Sequence, residues 1–127
     1  VAIRYGLWEQ ADAMLADLHR KYSGYPGLIY GLAGFADVLL DACLYSGDEE
    51  YLRMAERPLQ GIADLYLFET RDGHATPGEN LFRISCDYAT GIAGVLGTLH
   101  RHADMLPDAF CLDAFDGVGT PAALRAA

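Results

Sequence analysis

Residues 27–34, GLIYGLAG, place three glycines directly before the apolar run FADVLLDACLY. Glycine inside a helix costs roughly 1 kcal/mol relative to alanine, so Gly31 and Gly34 need a compensating reason, such as close approach of a neighbouring backbone or a ligand. The same pattern returns sixty residues later in ATGIAGVLGTLHR, with Gly31 matched to Gly91, Ala33 to Ala93 and Gly34 to Gly94. The recurrence indicates an internal repeat built around a glycine-opened helix.

Helical periodicity surrounds both glycine segments. Apolar residues recur at intervals of three and four over residues 2–21, 28–45, 49–65 and 88–104, with a predicted N-cap at Asp48 for the third helix. The second and fourth stretches are apolar or small on most sides, which is typical of helices covered by their neighbours. Pairs of helices that cannot bury their own faces stack into arrays, so the sequence predicts an all-α fold that is part of an α/α array.

Two segments lack this periodicity. Asp72-Gly73 and Pro77-Gly78 are turn signals between residues 68 and 84, which predicts a long loop or a small hairpin there. Residues 105–127 contain two prolines and two glycines and are predicted to form an irregular tail. Residues 1–104 form the predicted domain. Because the first predicted helix is already under way at its first residues, we expect the chain to be a fragment of a longer protein.

The composition argues against several classes of function. A chain of 127 residues, with 52% hydrophobic and 21% charged residues, has room for one core and is typical of a soluble globular protein. The formal charge of −9, from 9 basic and 18 acidic residues, leaves no basic face for a phosphate backbone, so nucleic acid is not an expected partner. No apolar run approaches the ~20 residues of a membrane span, so no membrane partner is expected either.

Cysteine usage is typical of a reducing compartment. Cys43, Cys86 and Cys111 are odd in number, widely spaced and without a C-x-x-C pair, so the sequence predicts neither a disulfide framework nor a zinc ribbon. The histidines do not combine with cysteines or acids at metal-ligand spacing. We therefore expect a cytoplasmic protein without a metal site.

The glycine segments resemble those of one protein family. GLIYGLAGFADVLL resembles the G-L-C-H-G-x-A-G motif that opens an inner helix in lanthionine synthetase cyclases, the LanC-like family. LFRISCDYATGIAGVLGTLHR resembles the last repeat of the cyclase domain in class III, and less closely class IV, lanthipeptide synthetases. The resemblance spans roughly residues 2–102. It implies an α/α toroid around a central cavity, in which residues 1–104 are the last two or three helix pairs, the C-terminal portion of the cyclase domain.

The zinc ligands of the family are missing from this chain. The Cys-His pair of the zinc-dependent cyclases falls on Ile29 and Tyr30, and the matching positions of the second repeat hold Ala89 and Thr90. Loss of these ligands is a property of class III cyclase domains. The resemblance therefore implies cyclisation without zinc and no cofactor in this segment. A nucleotide would serve only a kinase domain that these residues do not contain.

The implied reaction adds a precursor-peptide cysteine thiol to dehydroalanine or dehydrobutyrine, which gives a lanthionine or a labionin ring. The step needs a thiolate, whose free pKa is about 8.5, and a proton for the resulting enolate. The candidate catalytic residues are Tyr30, His74 and Asp87. Each has a structural alternative: a buried tyrosine bonded to a carbonyl, a solvated loop histidine, and an aspartate that caps the following helix.

Substrate binding is predicted at the openings of the two inner helices. Helix N-termini carry backbone N–H groups without helical partners, and the glycines would expose them to a bound peptide. The predicted binding residues are Gly27, Gly31, Arg83, Cys86, Tyr88, Thr90 and Gly91. The alternatives are that the glycines only allow helices to pack closely and that Cys86 is a small buried hydrophobe.

Two other functions remain open from the sequence. One is a non-catalytic scaffold of the same synthetase that holds the precursor peptide. The other is an α/α-toroid glycosidase, for which the candidate paired acids are Glu49-Glu50, Glu79, and Asp37 with Asp41. In the synthetase, the expected partners are the precursor peptide and the remaining domains of the parent enzyme, and we expect the fragment alone to be inactive.

Overall fold

The computed structural model describes residues 2–3 and 5–105, so the predicted tail and Cys111 lie outside the described residues. This part of the chain is mostly helical, in agreement with the all-α prediction, and its only sheet within these residues is a two-stranded hairpin. The elements in chain order are α1 Trp8–Leu18, α2 Leu32–Ser46, α3 Glu50–Leu65, β1 Phe68–Thr70, β2 Gly73–Ala75, a 3₁₀ turn Glu79–Leu81 and α4 Ile92–Asp104.

Helix α2 is the centre of the fold. It packs against α1, α3 and α4, and eight of its 15 residues are buried. The largest fully buried side chains include Leu39 and Leu40 of α2, Ile62 of α3 and Val95 of α4. Burying such a side chain contributes roughly 1.5–3 kcal/mol, so this contact layer dominates the stability. The prediction that the second stretch is a covered inner helix is confirmed.

The junction between α2 and α3 follows the predicted stop and start signals. Gly47 ends α2 in the left-handed conformation (φ 78°), and its N–H donates to the carbonyl of Cys43 at 2.8 Å. The Asp48 carboxylate then accepts a hydrogen bond from the N–H of Glu50 at 2.9 Å. The glycine stop is confirmed. The predicted N-cap at Asp48 is wrong by one residue, because Glu49 is the N-cap of α3 and Asp48 precedes it while still accepting a hydrogen bond from the first turn.

Three helices differ from their predicted bounds by three residues or more. Helix α1 begins at Trp8 and ends at Leu18, so it is shorter than the predicted 2–21. Helices α2 and α4 both begin four residues later than predicted, because residues 28–31 and 88–91 form turns instead of a first helical turn. We call residues 25–31 and 85–91 the lead-in turns.

The segment between α3 and α4 contains the predicted small hairpin. Strands β1 and β2 are antiparallel, with Thr70 paired to Gly73 at the turn. The Thr70 hydroxyl donates to the carbonyl of Gly73 at 2.7 Å, and Gly73 has a positive φ of 125° that suits glycine. A further antiparallel bridge joins Pro77 to Ile84, so the chain folds back on itself around the 3₁₀ turn before it enters the second lead-in turn.

A buried arginine joins α2 to α4. Arg101 is 6% exposed, and its guanidinium donates to the Asp37 carboxylate at 2.7 Å and also to the Asp41 carboxylate. Burial opposes the charged form, but the two carboxylates outweigh it and hold the pKa of Arg101 above its ordinary value. Asp37 and Asp41 are thus committed to an interhelical ion cluster.

Helix length and polarity bear on membrane insertion. Across residues 2–3 and 5–105, none of the helices combines the length and the apolar character that a bilayer crossing requires. The most apolar helix, α2, has 15 residues and carries Asp37 and Asp41.

Candidate functional site

The two lead-in turns share a long backbone hydrogen bond to the first residue of the following helix, although Tyr30 is left-handed (φ 63°) and the matching Thr90 is not. In the first, the N–H of Leu32 donates to the carbonyl of Tyr25 at 3.0 Å; in the second, the N–H of Ile92 donates to the carbonyl of Ser85 at 2.9 Å. Each bond spans seven residues and closes the turn against the first residue of its helix. The sixty-residue sequence repeat is therefore also a structural repeat.

The glycines inside the helices are explained by this geometry. A Cβ on Gly34 would lie 2.1 Å from the carbonyl oxygen of Leu28, and a Cβ on Gly94 would lie 2.0 Å from that of Tyr88. Real Cβ atoms do not approach an oxygen so closely, so only glycine lets the lead-in turn fold over the helix. The close approach that the glycines required comes from the chain's own backbone.

The N–H groups at the start of α2 are not available to a ligand. Those of Leu32, Ala33 and Gly34 donate to the carbonyls of the first lead-in turn at 3.0, 3.0 and 3.4 Å. The expectation that these amides point at a bound peptide is wrong for α2, because the turn supplies the acceptors that the first helical turn lacks.

The lead-in turns lie side by side. The N–H of Ile29 donates to the carbonyl of Ala89 at 2.8 Å, which links the turns directly. A Cβ on Gly27 would lie 2.7 Å from the Cα of Thr90, so glycine at this position permits the contact. The pairing brings the starts of α2 and α4 to one end of the fold.

Two adjoining pockets lie where the turns meet the 3₁₀ turn. The larger has a volume of about 600 Å³ and the smaller about 360 Å³. Both are lined by Glu79, Asn80 and Thr90, so these three residues separate them. The larger is also lined by Phe82, Arg83, Ser85, Asp87 and Ala89, and the smaller by Tyr25, Gly27, Ile29, Tyr30 and Gly78.

Half of the predicted site residues line this pair of pockets: Gly27, Tyr30, Arg83, Asp87 and Thr90. His74 lies on β2 opposite Glu69, exposed and apart from the lining residues of both pockets. Gly31 and Gly91 are buried against the backbone of their own lead-in turns. The structure therefore brings together Tyr30, Arg83 and Asp87 but leaves His74 on the hairpin.

Asp87 is held by its neighbours. The hydroxyl of Ser85 donates to its carboxylate, as do the N–H and the hydroxyl of Thr90 at 2.7 and 2.9 Å. These bonds, with Ser85 the largest contributor, hold the pKa of Asp87 well below its ordinary value. Such a carboxylate accepts protons poorly at neutral pH. The contacts favour a capping role, although Asp87 caps the lead-in turn and not α4, which begins five residues later.

Tyr30 is an exposed residue in an unusual conformation. Its residue surface is 84% exposed, so the alternative of a buried tyrosine is wrong. Its φ of 63° is left-handed, which non-glycine residues adopt at a cost of roughly 1–2 kcal/mol. Asn80 and Leu81 are also left-handed, with φ of 59° and 60°. Strained residues of this kind cluster at binding and catalytic sites.

Eight of the residues that line the pockets are not among the predicted site residues, and three of these, Glu79, Asn80 and Phe82, lie in the 3₁₀ turn or directly after it. Asn80 and Phe82 were not considered, and Glu79 was weighed only as an acid of a glycosidase. Phe82 is 91% exposed at the edge of the larger pocket. The Pro77-Gly78 turn signal marked the segment, and asparagine is a residue that tolerates the left-handed region, but nothing marked Leu81 as left-handed.

Metal binding has no support among the described residues. Over that part of the chain, no group of three or more His, Cys, Asp or Glu side chains is placed to hold a metal ion. Cys86 is exposed, in contrast to the alternative of a buried thiol, and is not among the residues that line the two pockets, whereas Cys43 is buried in α2. Both of these thiols are free.

The two free thiols should differ in reactivity. We expect Cys86 to be alkylated by iodoacetamide at least 100-fold faster than Cys43 at pH 8, because burial raises the pKa of the Cys43 thiol and blocks access to it. Peptide mapping after timed alkylation measures both rates. A Cys86→Ser variant is the control, since it should lose the fast modification at this position. Equal rates for the two thiols would contradict the burial of Cys43.

Comparison with protein-family models, curated proteins and solved structures gives no match for this chain. The function is therefore inferred from the residues themselves, the repeated lead-in turns and the pockets that they border.

Proposed function

We propose that this chain is the C-terminal part of a LanC-like cyclase domain, in which the paired pockets hold a precursor peptide during zinc-independent ring formation. The observation that carries the proposal is the pairing of two glycine-opened lead-in turns, sixty residues apart, around adjoining pockets lined by Tyr30 and Arg83. Nine of the 13 residues that line the pockets lie in the two stretches that resemble the family. The α/α toroid and the cytoplasmic location belong to this proposal.

The pocket residues suit the two steps of the addition, the attack of the thiolate and the protonation of the enolate. Arg83 is the one base that lines the larger pocket, and its guanidinium can hydrogen-bond a substrate thiolate directly, although Glu79 and Asp87 leave the pocket as a whole with a formal charge of −1. The thiolate sulfur then forms a bond to the β-carbon of the dehydro residue, and the electron pair of the double bond moves to give an enolate. The exposed Tyr30 hydroxyl donates a proton to the α-carbon. The thiol proton leaves to solvent, so no metal or redox partner is required.

A peptide-holding scaffold is the second candidate. It is favoured by the absence of a good proton acceptor among the predicted catalytic residues that line the pockets, because the pKa of Asp87 is low and His74 lies on the hairpin. In this case the pockets retain the precursor peptide while another domain of the synthetase performs the chemistry. The partners are the same in both candidates.

A glycosidase is a weaker candidate. Asp37 and Asp41 are paired with Arg101, and Glu50 is paired with Arg53 at 2.5 Å. Glu79 and Asp87 do line the same pocket, as a glycosidase would need. However, both Asp87 carboxylate oxygens accept hydrogen bonds from Ser85 or Thr90, which is the arrangement of a cap.

Ring formation in the full-length synthetase tests the proposal. We expect Tyr30→Phe to slow ring closure roughly 100-fold, since it removes the proton donor while leaving the ring in place. The assay is mass spectrometry of a dehydrated precursor after thiol alkylation. Dehydration should be complete, and cysteines should remain free and alkylatable. Arg83→Ala should give the same product pattern.

The matched control is Tyr22→Phe. Tyr22 is 66% exposed and is not among the residues that line the two pockets. The Tyr22→Phe synthetase should close rings at the wild-type rate. Complete ring formation in Tyr30→Phe and Arg83→Ala as well would contradict a catalytic role for these two residues. The peptide-holding scaffold would then be the better candidate.

A further inference from the structure

We propose that the paired pockets select the sequence of the bound peptide: the smaller accepts an apolar or aromatic side chain, the larger accepts a neutral or basic one, and Asn80 between them binds the peptide backbone. The inference rests on the proposed function, which requires a peptide at this site but does not say which residues it carries.

The residues that line both pockets, which we call the shared wall, suit an extended ligand such as a peptide. Glu79, Asn80 and Thr90 border both pockets, so a ligand that fills both must cross them. A peptide does this naturally, because neighbouring side chains can enter different pockets while the backbone crosses the wall. Its backbone N–H and C=O groups then need partners. The Asn80 side chain offers a donor and an acceptor in one amide.

The smaller pocket favours an apolar side chain. Tyr25, Ile29 and Tyr30 line it, with exposed fractions of 38%, 47% and 84%. A phenyl or branched aliphatic group placed there would cover apolar surface that is now exposed to water. Exposed apolar groups gathered around a concavity are typical of binding sites.

The larger pocket disfavours an acidic side chain. Its ionisable lining consists of two acids, Glu79 and Asp87, and one base, Arg83, which leaves a formal charge of −1. Asp87 stays charged at neutral pH, because the hydrogen bonds from Ser85 and Thr90 hold its pKa low. The whole chain carries −9, which adds to the repulsion of an anion. Lysine fits this field and aspartate does not.

The left-handed backbone at the wall gives an independent reason to assign binding to this segment. Asn80 and Leu81 are consecutive non-glycine residues with positive φ, and Tyr30, which lines the smaller pocket, is another. The fourth, Met105, ends α4. Non-glycine residues held in this region cost free energy that the surrounding structure must supply, and ligand clamps are among the places where they occur.

Binding of three peptides to the full-length synthetase tests the inference. The peptides are fluorescein-labelled 12-mers of one Gly/Ser background with a single central dipeptide, Phe-Lys, Phe-Asp or Gly-Lys, and the readout is fluorescence polarisation. We expect the Phe-Lys peptide to bind at least tenfold more tightly than either of the others. Equal affinity for Phe-Lys and Phe-Asp, or no measurable binding of Phe-Lys, would overturn the inference.

The decisive variant is Asn80→Gly. Glycine adopts the left-handed conformation of this position without strain, so the loop is kept while the amide is lost. We expect at least a fivefold loss of affinity for the Phe-Lys peptide, and unchanged affinity in Tyr22→Ala. Glu79→Gln should reduce the ratio between the affinities for the Phe-Lys and Phe-Asp peptides. Wild-type affinity in Asn80→Gly would overturn the role of the amide.

The two proposals fail separately. If ring closure still depends on Tyr30 while the three peptides bind equally, the proposed function stands and the selectivity falls. If the peptides are discriminated as expected while ring closure is intact in Tyr30→Phe, the selective peptide site stands and the catalytic role falls.

Discussion

Gly94→Ala should destabilise the protein by about 3–5 kcal/mol, one of the largest effects of any methyl addition in the chain. The added Cβ would lie 2.0 Å from the carbonyl oxygen of Tyr88 and 3.1 Å from the Cβ of Leu28. The first of these atoms is backbone, so relief requires the second lead-in turn to move away from α4. Urea unfolding followed by circular dichroism measures the change.

Gly97→Ala is the matched control in the same helix. A Cβ there meets only the Tyr88 ring, at 3.6 Å, which is ordinary contact. Alanine should therefore raise the stability by about 0.5–1 kcal/mol through helix propensity. Gly34→Ala should repeat the loss seen in Gly94→Ala, because its Cβ would lie 2.1 Å from the carbonyl of Leu28. Equal stabilities of the Gly94 and Gly97 variants would contradict the backbone contact.

Arg101→Met should cost about 3 kcal/mol of unfolding free energy. Methionine keeps much of the apolar stem but removes the guanidinium that lies between Asp37 and Asp41, whose side chains are only 24% and 17% exposed. Asp37 and Asp41, both partly buried, then lose the hydrogen bonds and the positive charge that Arg101 supplies. The same urea titration measures the loss.

Two comparisons show whether the loss comes from buried charge. Arg53→Met removes an arginine from an exposed pair with Glu50 and should change the stability by no more than about 0.5 kcal/mol. Adding Asp37→Asn and Asp41→Asn to Arg101→Met should recover a substantial part of the loss. A triple variant as unstable as Arg101→Met alone would mean that packing, and not charge, is the cause.

The order and type of the helices could be predicted from the sequence because α2 and α4 show strong apolar patterns and glycine repeats. Their first residues could not, since the apolar lead-in residues Leu28 and Ile29 continue the helical pattern by composition. What separates turn from helix there is a set of hydrogen bonds to carbonyls seven residues earlier, which no local propensity encodes.

The candidate site could be predicted only in part. Tyr30, Arg83 and Asp87 flank the repeated glycines, so attention to the repeat found them. Asn80 was missed because its importance arises from tertiary placement: the chain reverses between Pro77 and Ile84 and carries the 3₁₀ turn to the lead-in turns. The chemistry of Asp87 was also hidden, since its low pKa depends on the hydroxyls of Ser85 and Thr90.

The ion cluster between α2 and α4 also affects which helices can pack side by side. Arg101 occupies, sixty residues on, the position that Asp41 holds in its own repeat. Two identical copies of either helix side by side would bring like charges together at this point. Opposite charges at matched positions make the pairing specific: each helix binds a neighbour of opposite charge more favourably than a copy of itself. A repeat protein with this device resists shuffling of its units and exchange of units between molecules.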